Sequence, residues 1–185
     1  PNLIAALYAP DEFRMSDHNP VLVDLALEAE FDASASANVG AHLTLVTPAG
    51  RGAGDARSQV NVAATARFKR GSTTPEGQVQ ILVHRTEADG LHIYQIRATS
   101  LVSFHRDKAT GRATIAADVT IEDLGGKKAT RMVDAHARLR LTLVDNGEPG
   151  RTDAIGITVH REDGSLWFSS RWNGAATVEQ VIAGG

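Results

Sequence analysis

Gln59-Val60-Asn61-Val62-Ala63-Ala64-Thr65-Ala66-Arg67-Phe68 alternates residue by residue. Val60, Val62, Ala64, Ala66 and Phe68 share one side of an extended chain, and Gln59, Asn61, Ala63, Thr65 and Arg67 share the other. Successive strand side chains point to opposite faces, so this stretch predicts a strand with one face buried and one in water. A turn containing Pro75 follows between Gly71 and Gly77, after which Val79, Ile81 and Val83 alternate with Gln78, Gln80 and His84. That is a hairpin partner.

The same period continues down the chain. Strands are expected over 91–97, 101–105, 112–121, 132–144, 154–160, 166–171 and 177–182. Between them lie turn-forming runs: Glu87-Ala88-Asp89-Gly90, residues 107–111, Gly125-Gly126-Lys127-Lys128, Asp145-Asn146-Gly147-Glu148-Pro149-Gly150 and Asp163-Gly164. Short strands at regular spacing, with Gly, Pro and Asp between them, predict an all-β fold: an antiparallel β-sandwich of jelly-roll or immunoglobulin-like type over residues 41–185. Residues 31–40 include Asp32-Ala33-Ser34-Ala35-Ser36-Ala37, small side chains with few anchors, and read as a linker. Residues 51–57, with Gly52 and Gly54, read as a mobile loop. Residues 1–30 stand apart as a short terminal piece.

Composition bounds the function. The 185 residues hold 19 Lys+Arg against 22 Asp+Glu, a formal charge of -3, so bulk charge calls for no nucleic-acid partner. There is no cysteine, which excludes disulfides, thiolate zinc sites and a cysteine nucleophile. No apolar run reaches the roughly 20 residues of a membrane-spanning helix. The chain opens on Pro1, read as a cut in a longer product.

Ser16-Asp17-His18-Asn19-Pro20 runs directly into the alternating Val21-Leu22-Val23-Asp24-Leu25. An imidazole beside a carboxylate can act as a base with a fixed tautomer, and the turn at Asn19-Pro20 lets both side chains face one pocket. These residues resemble the closing motif of the endonuclease/exonuclease/phosphatase superfamily, Ser-Asp-His-x-Pro-Val, with Tyr8 and Arg14 upstream as in its secreted bacterial nucleases. The resemblance covers about 27 residues. It implies that His18 is the general base or phosphate-contacting acid, and that Asp17 orients a partner or approaches Mg²⁺. It also implies a secreted parent that cleaves nucleic acid. The family's metal-binding Asn and Glu, its second His and its mid-domain Asp-x-Asn have no counterpart here, so the 185-residue chain is expected to be inactive as a nuclease.

A second resemblance covers about 57–182. Lys69-Arg70-Gly71 with Thr74-Pro75-Glu76-Gly77, and later Asp145-Asn146-Gly147-Glu148-Pro149-Gly150-Arg151-Thr152-Asp153 before an Ile-x-Ile strand, are similar to motifs of the post-COAP type of accessory domain. Such domains are β-sandwiches attached to secreted hydrolases and adhesins. His105, Ala116 and Ile155 depart from that pattern. Together the two resemblances suggest the C-terminal accessory domain of a secreted, Mg²⁺-dependent nuclease. The alternatives are a free-standing extracellular module for carbohydrate, cell surface or matrix, or a calcium-rigidified spacer.

Asp145, Asn146, Glu148 and Asp153 offer four oxygen-bearing side chains within nine residues, which suits Ca²⁺ without following EF-hand spacing. The alternative is a turn whose Asp and Asn bond their own backbone. His84 and His92 flank one turn but are not expected to face each other, which argues against zinc. His136, Arg138 and Arg140 alternate onto one strand face, as do Arg67 and Lys69, and either strip reads as a charged outer face or a DNA contact. Trp167, Phe168 and Trp172 cluster late in the chain and read as core packing, with a sugar-stacking platform as the alternative.

Overall fold

The computed structural model describes residues 32–125, 129–147 and 152–183. The chain divides into two units, Pro1–Glu30 and Phe31–Gly185, and every strand and side chain located below belongs to the second. Asp17 and His18 lie outside the described residues, as does the terminal strand expected beyond them.

The all-β antiparallel class expected from the alternation is the one the chain adopts. Nine strands form among the described residues: β1 (Ser36–Thr44), β2 (Gln59–Phe68), β3 (Pro75–Glu87), β4 (Gly90–Asp107), β5 (Arg112–Asp123), β6 (Arg131–Val144), β7 (Ala154–His160), β8 (Leu166–Ser169) and β9 (Gln180–Val181). They make a single sheet in which β1 to β8 pair in sequence order, with β9 beside β7. The order is that of an up-and-down meander, without the Greek-key crossovers of a jelly roll or an immunoglobulin domain. No helix among the described residues is long and apolar enough to cross a membrane.

The sheet curls until its two ends almost meet. Ala49, past β1, exchanges two backbone hydrogen bonds with Ser169 of β8, at 3.1 and 2.8 Å, and the Ala183 N–H donates to the His42 carbonyl at 3.0 Å. Strand length drives the curvature. At about 3.3 Å per residue, an 18-residue strand such as β4 would run to roughly 60 Å if straight, far beyond what a domain of this size can cover. Register shifts at Ala98/Ser100 and Leu101/Ser103 bend it, and those at Val119/Ile121 and Ile121/Glu122 bend β5 against β6, as bulges do.

Curling puts every inward residue into one core. Val62 pairs with Ile81, Ile81 with Ile96, Ile96 with Ile121, and Leu141 with Ile157, and all are buried. Each such side chain contributes about 1.5–3 kcal/mol of transfer free energy. β2 shows the alternation its sequence announces, with Val60, Val62, Ala64 and Ala66 buried and their neighbours exposed. Trp167 and Phe168 are core, as expected, whereas Trp172 is only half-buried, on a bridge to Thr177 beyond β8.

Two stretches differ from their sequence reading. Residues 36–40, read as linker, are the first half of β1: Ala37 pairs with Ala66 and Val39 with Ala64, so small side chains suit close packing there. Residues 51–57, read as a mobile loop, are tied at both ends. Leu45 and Ser58 pair through the Leu45 N–H at 2.9 Å, and the Gly52 N–H donates to the Trp167 carbonyl at 2.6 Å.

Candidate anion-binding pocket

In an up-and-down meander, alternate connections emerge at the same end. The β1–β2, β3–β4, β5–β6 and β7–β8 connections therefore gather at one mouth of the barrel, and each has a cation in it or at the adjoining strand end. Arg51 comes from the first connection, Arg85 from near the end of β3, Arg131 from the first residue of β6, and Arg161 from just after β7. All four line a cavity of about 350 Å³. Tyr94 and Trp167 also line it, their rings edge-to-face with centroids 5.6 Å apart. No carboxylate among the described residues lines it.

The carboxylates sit behind the arginines. Arg161 Nε donates to Asp134 Oδ2 at 3.2 Å. Arg131 comes within 3.7 Å of Asp123, and Arg85 Nε within 3.7 Å of Glu87. A terminal nitrogen of Arg85 also donates to the Arg51 carbonyl at 2.6 Å, so one arginine braces the loop that carries another. Asp134 is buried. Burial alone would push its carboxyl up, but the His136 N–H, Arg161 and the Glu162 N–H outweigh burial and hold it below the usual range.

Beside the cavity lies a buried imidazole. His92 Nδ1 is 3.0 Å from both oxygens of Asp123, and Nε2 is 2.9 Å from Asp89 Oδ1. With a carboxylate at each nitrogen the doubly protonated ring is favoured, and the hydrogen bonds to Asp123 first and Asp89 second raise its pKa above the ordinary value. Asp123 Oδ1 also accepts the Gly125 N–H at 2.9 Å, which anchors the start of the β5–β6 connection. The Tyr94 hydroxyl donates to Glu87, and burial, then that carboxylate, push the phenol up to about 12. Ligand atoms of Glu87, Asp89 and His92 lie within 4.8 Å of one another. A borderline cation could use that set only by displacing the proton between His92 and Asp89, with Asp123 orienting the ring from behind. The register pairs His92 with Arg85 and His84 with Ile93, so the two histidines do not face each other, in keeping with the sequence reading.

The other expected site residues fall elsewhere. Asp145, Asn146 and Asp153 do come together at the β6–β7 turn, while Glu148 lies outside the described residues. The Gly147 N–H donates to Asp145 Oδ1 and the Asn146 N–H to Asp153 Oδ1, both at 3.0 Å. Asn146 Nδ2 donates to the Thr152 carbonyl at 2.6 Å, and Arg106 stands 3.8 Å from Asp145. These are the bonds of a self-capped turn. Among the described residues one oxygen of each carboxylate has no hydrogen bond, and a cation there would have to share Asp145 with Arg106.

His136, Arg138 and Arg140 are exposed on β6, with Asp118 opposite Arg138, and Arg67 pairs with Glu76 at 2.9 Å. Both strips are outer sheet face. Ser169 and Ser170 are buried and bonded to Thr177 Oγ1 and the Ile157 N–H. The Ser170 hydroxyl thus accepts from the β7 backbone, and the Ser169 hydroxyl bonds another side chain.

No protein-family model, curated protein or solved structure matches the chain.

Proposed function

We propose that this chain carries the C-terminal accessory domain of a secreted, Mg²⁺-dependent nuclease, and that the domain binds an anionic ligand and leaves the cutting to its parent. The observation that carries the binding role is the barrel-mouth cavity, lined by four arginines that stand in or beside four separate connections and by no carboxylate among the described residues. Guanidinium groups are weakly hydrated, permanently charged and fork-shaped, which makes them the side chain suited to phosphate and carboxylate recognition. The nuclease parent rests on the resemblance of Ser16-Asp17-His18-Asn19-Pro20. In the intact enzyme His18 and Asp17 would face a phosphodiester, with Mg²⁺ held by residues of the parent domain.

Two experiments test the two halves. The coding sequence upstream of Pro1 should encode the metal-binding Asn and Glu of the superfamily, and a signal peptide immediately before Pro1 would reject the parent. Calorimetric titration of the chain with pyrophosphate should give one site whose affinity falls as salt rises. Absence of heat at low salt would reject the anion seat.

A further inference from the structure

The four arginines converge on one compact volume, and that arrangement limits the kind of anion they can take. A strand of nucleic acid passing over a surface presents single charges at regular intervals and calls for a track of cations. On the outer face several cations are already paired, Arg67 with Glu76, Lys108 with Asp32 at 2.7 Å and Arg112 with Glu179 at 2.8 Å, and the strip of His136, Arg138 and Arg140 on β6 is short and has Asp118 opposite Arg138.

At the cavity the supply of donors is in surplus. A guanidinium carries five N–H groups. Arg161 uses its Nε on Asp134 and Arg85 one terminal nitrogen on the Arg51 carbonyl. Arg131 stands beyond hydrogen-bond distance of Asp123. The Arg51 guanidinium has no hydrogen bond or ion pair among the described residues, and its charge reaches the Asp163 carboxylate only through space. A ligand matching that surplus within about 350 Å³ must be small, multiply charged and rich in acceptor oxygens. A phosphomonoester brings three terminal oxygens and close to two charges at neutral pH. An internal phosphodiester brings two free oxygens and one charge, and so does a carboxylate.

We infer that the barrel-mouth cavity takes a phosphomonoester, and specifically the terminal phosphate of a nucleic-acid strand. This rests on the anion-seat reading above and specifies its ligand. Hydrolysis of a phosphodiester adds water across one P–O bond and leaves one phosphomonoester and one hydroxyl, so each cut by the proposed parent creates such an end. The cavity would hold the strand by that end after cleavage.

Fluorescence anisotropy of the full chain tests this, using single-stranded oligonucleotides labelled at one end and carrying phosphate or hydroxyl at the other, in 5′ and 3′ versions. One phosphorylated version should bind about ten-fold or more tightly than its hydroxyl counterpart, since several charge-assisted hydrogen bonds are lost with the phosphate. Excess inorganic phosphate should compete. Arg51→Gln should erase the preference with little change in the melting midpoint, because the Arg51 guanidinium makes no hydrogen bond or ion pair among the described residues and acts on Asp163 only as the weakest of the charges and hydrogen bonds that lower its carboxyl. Equal affinity for phosphate and hydroxyl ends overturns the inference while leaving the anion seat intact, provided inorganic phosphate still binds. Tighter binding of a sulfated oligosaccharide than of either oligonucleotide also overturns it. Failure to bind oligonucleotide, inorganic phosphate or sulfated sugar removes the inference and the anion seat together.

Discussion

Replacing Gly52 by alanine tests whether the 45–58 connection is part of the barrel wall. A Cβ at Gly52 would lie 2.7 Å from Trp167 Cδ2 and nearer still to Cε2 and Cζ2, well inside contact distance. The indole has little room to retreat, with Tyr94 edge-on at 5.6 Å and Phe168 at 6.3 Å between ring centroids, and it is 3% exposed. Overpacking a filled site costs about 1–3 kcal/mol, and the rigid surroundings put this case at about 2–3 kcal/mol. Removing a glycine from the unfolded chain returns about 0.4–1 kcal/mol. The net expectation is a loss of about 1–2.5 kcal/mol, or roughly 2–10 °C in melting midpoint for a domain of this length. Urea and thermal unfolding followed by tryptophan fluorescence measure it. A mobile loop would give the opposite sign, because only the unfolded-state term would remain. An unchanged or raised midpoint would refute the packing argument and with it the fixed position of Arg51.

His92→Gln should change how stability depends on pH. The folded-state pKa of His92 is raised by Asp123 and Asp89, so its contribution is complete below the unfolded value of about 6.5 and is lost as pH rises through the folded value. Wild-type stability should therefore fall as pH rises above about 6.5 and through the raised folded value, and the variant should lack that slope; equal slopes would show that the ring is neutral in the fold. Gly77→Ala would drive a Cβ into the Thr65 backbone carbonyl across the β2–β3 pair, where no flexible side chain can give way. A loss of about 3 kcal/mol or more is expected, and hydrogen exchange in β2 should rise with it; native-like exchange would contradict the register. The β6–β7 turn holds its own hydrogen bonds, so millimolar Ca²⁺ should leave the melting midpoint where EDTA leaves it. A rise of several degrees would show Asp145, Asn146 and Asp153 holding calcium.

The strands were legible where one face is apolar and the other polar. β2 and β7 could be bounded from sequence because alternation there is unbroken. β4 reads as two strands because its bulges at Ala98/Ser100 and Leu101/Ser103 shift the phase of alternation without ending the pairing. The start of β1 was hidden by its small residues, which look like a linker until Ala64 and Ala66 are placed opposite. The sequential strand order is a property of long-range pairing that alternation does not carry.

The cavity was illegible for the same reason. Arg51, Arg85, Arg131 and Arg161 are far apart in sequence and fit no motif, and each sits near a turn where a charge is ordinary. Only a meander, in which alternate connections share an end, brings them together. Once that order is known, cations in alternate connections are the signal to look for. His92 and Asp123, 31 residues apart, meet because β4 and β5 are neighbours and this mouth holds the start of one and the end of the other. A histidine flanking an acidic turn hinted at Asp89, but nothing nearby in sequence pointed to Asp123.

The two tryptophans allow the central claim to be read directly. Trp167 lines the cavity and Trp172 does not, so their indole N–H resonances can be followed together while phosphate is added to the full chain at constant ionic strength. The Trp167 signal should move and saturate while that of Trp172 stays in place. Two signals that drift together without saturating, or that both stay still, would contradict an anion seat at the barrel mouth.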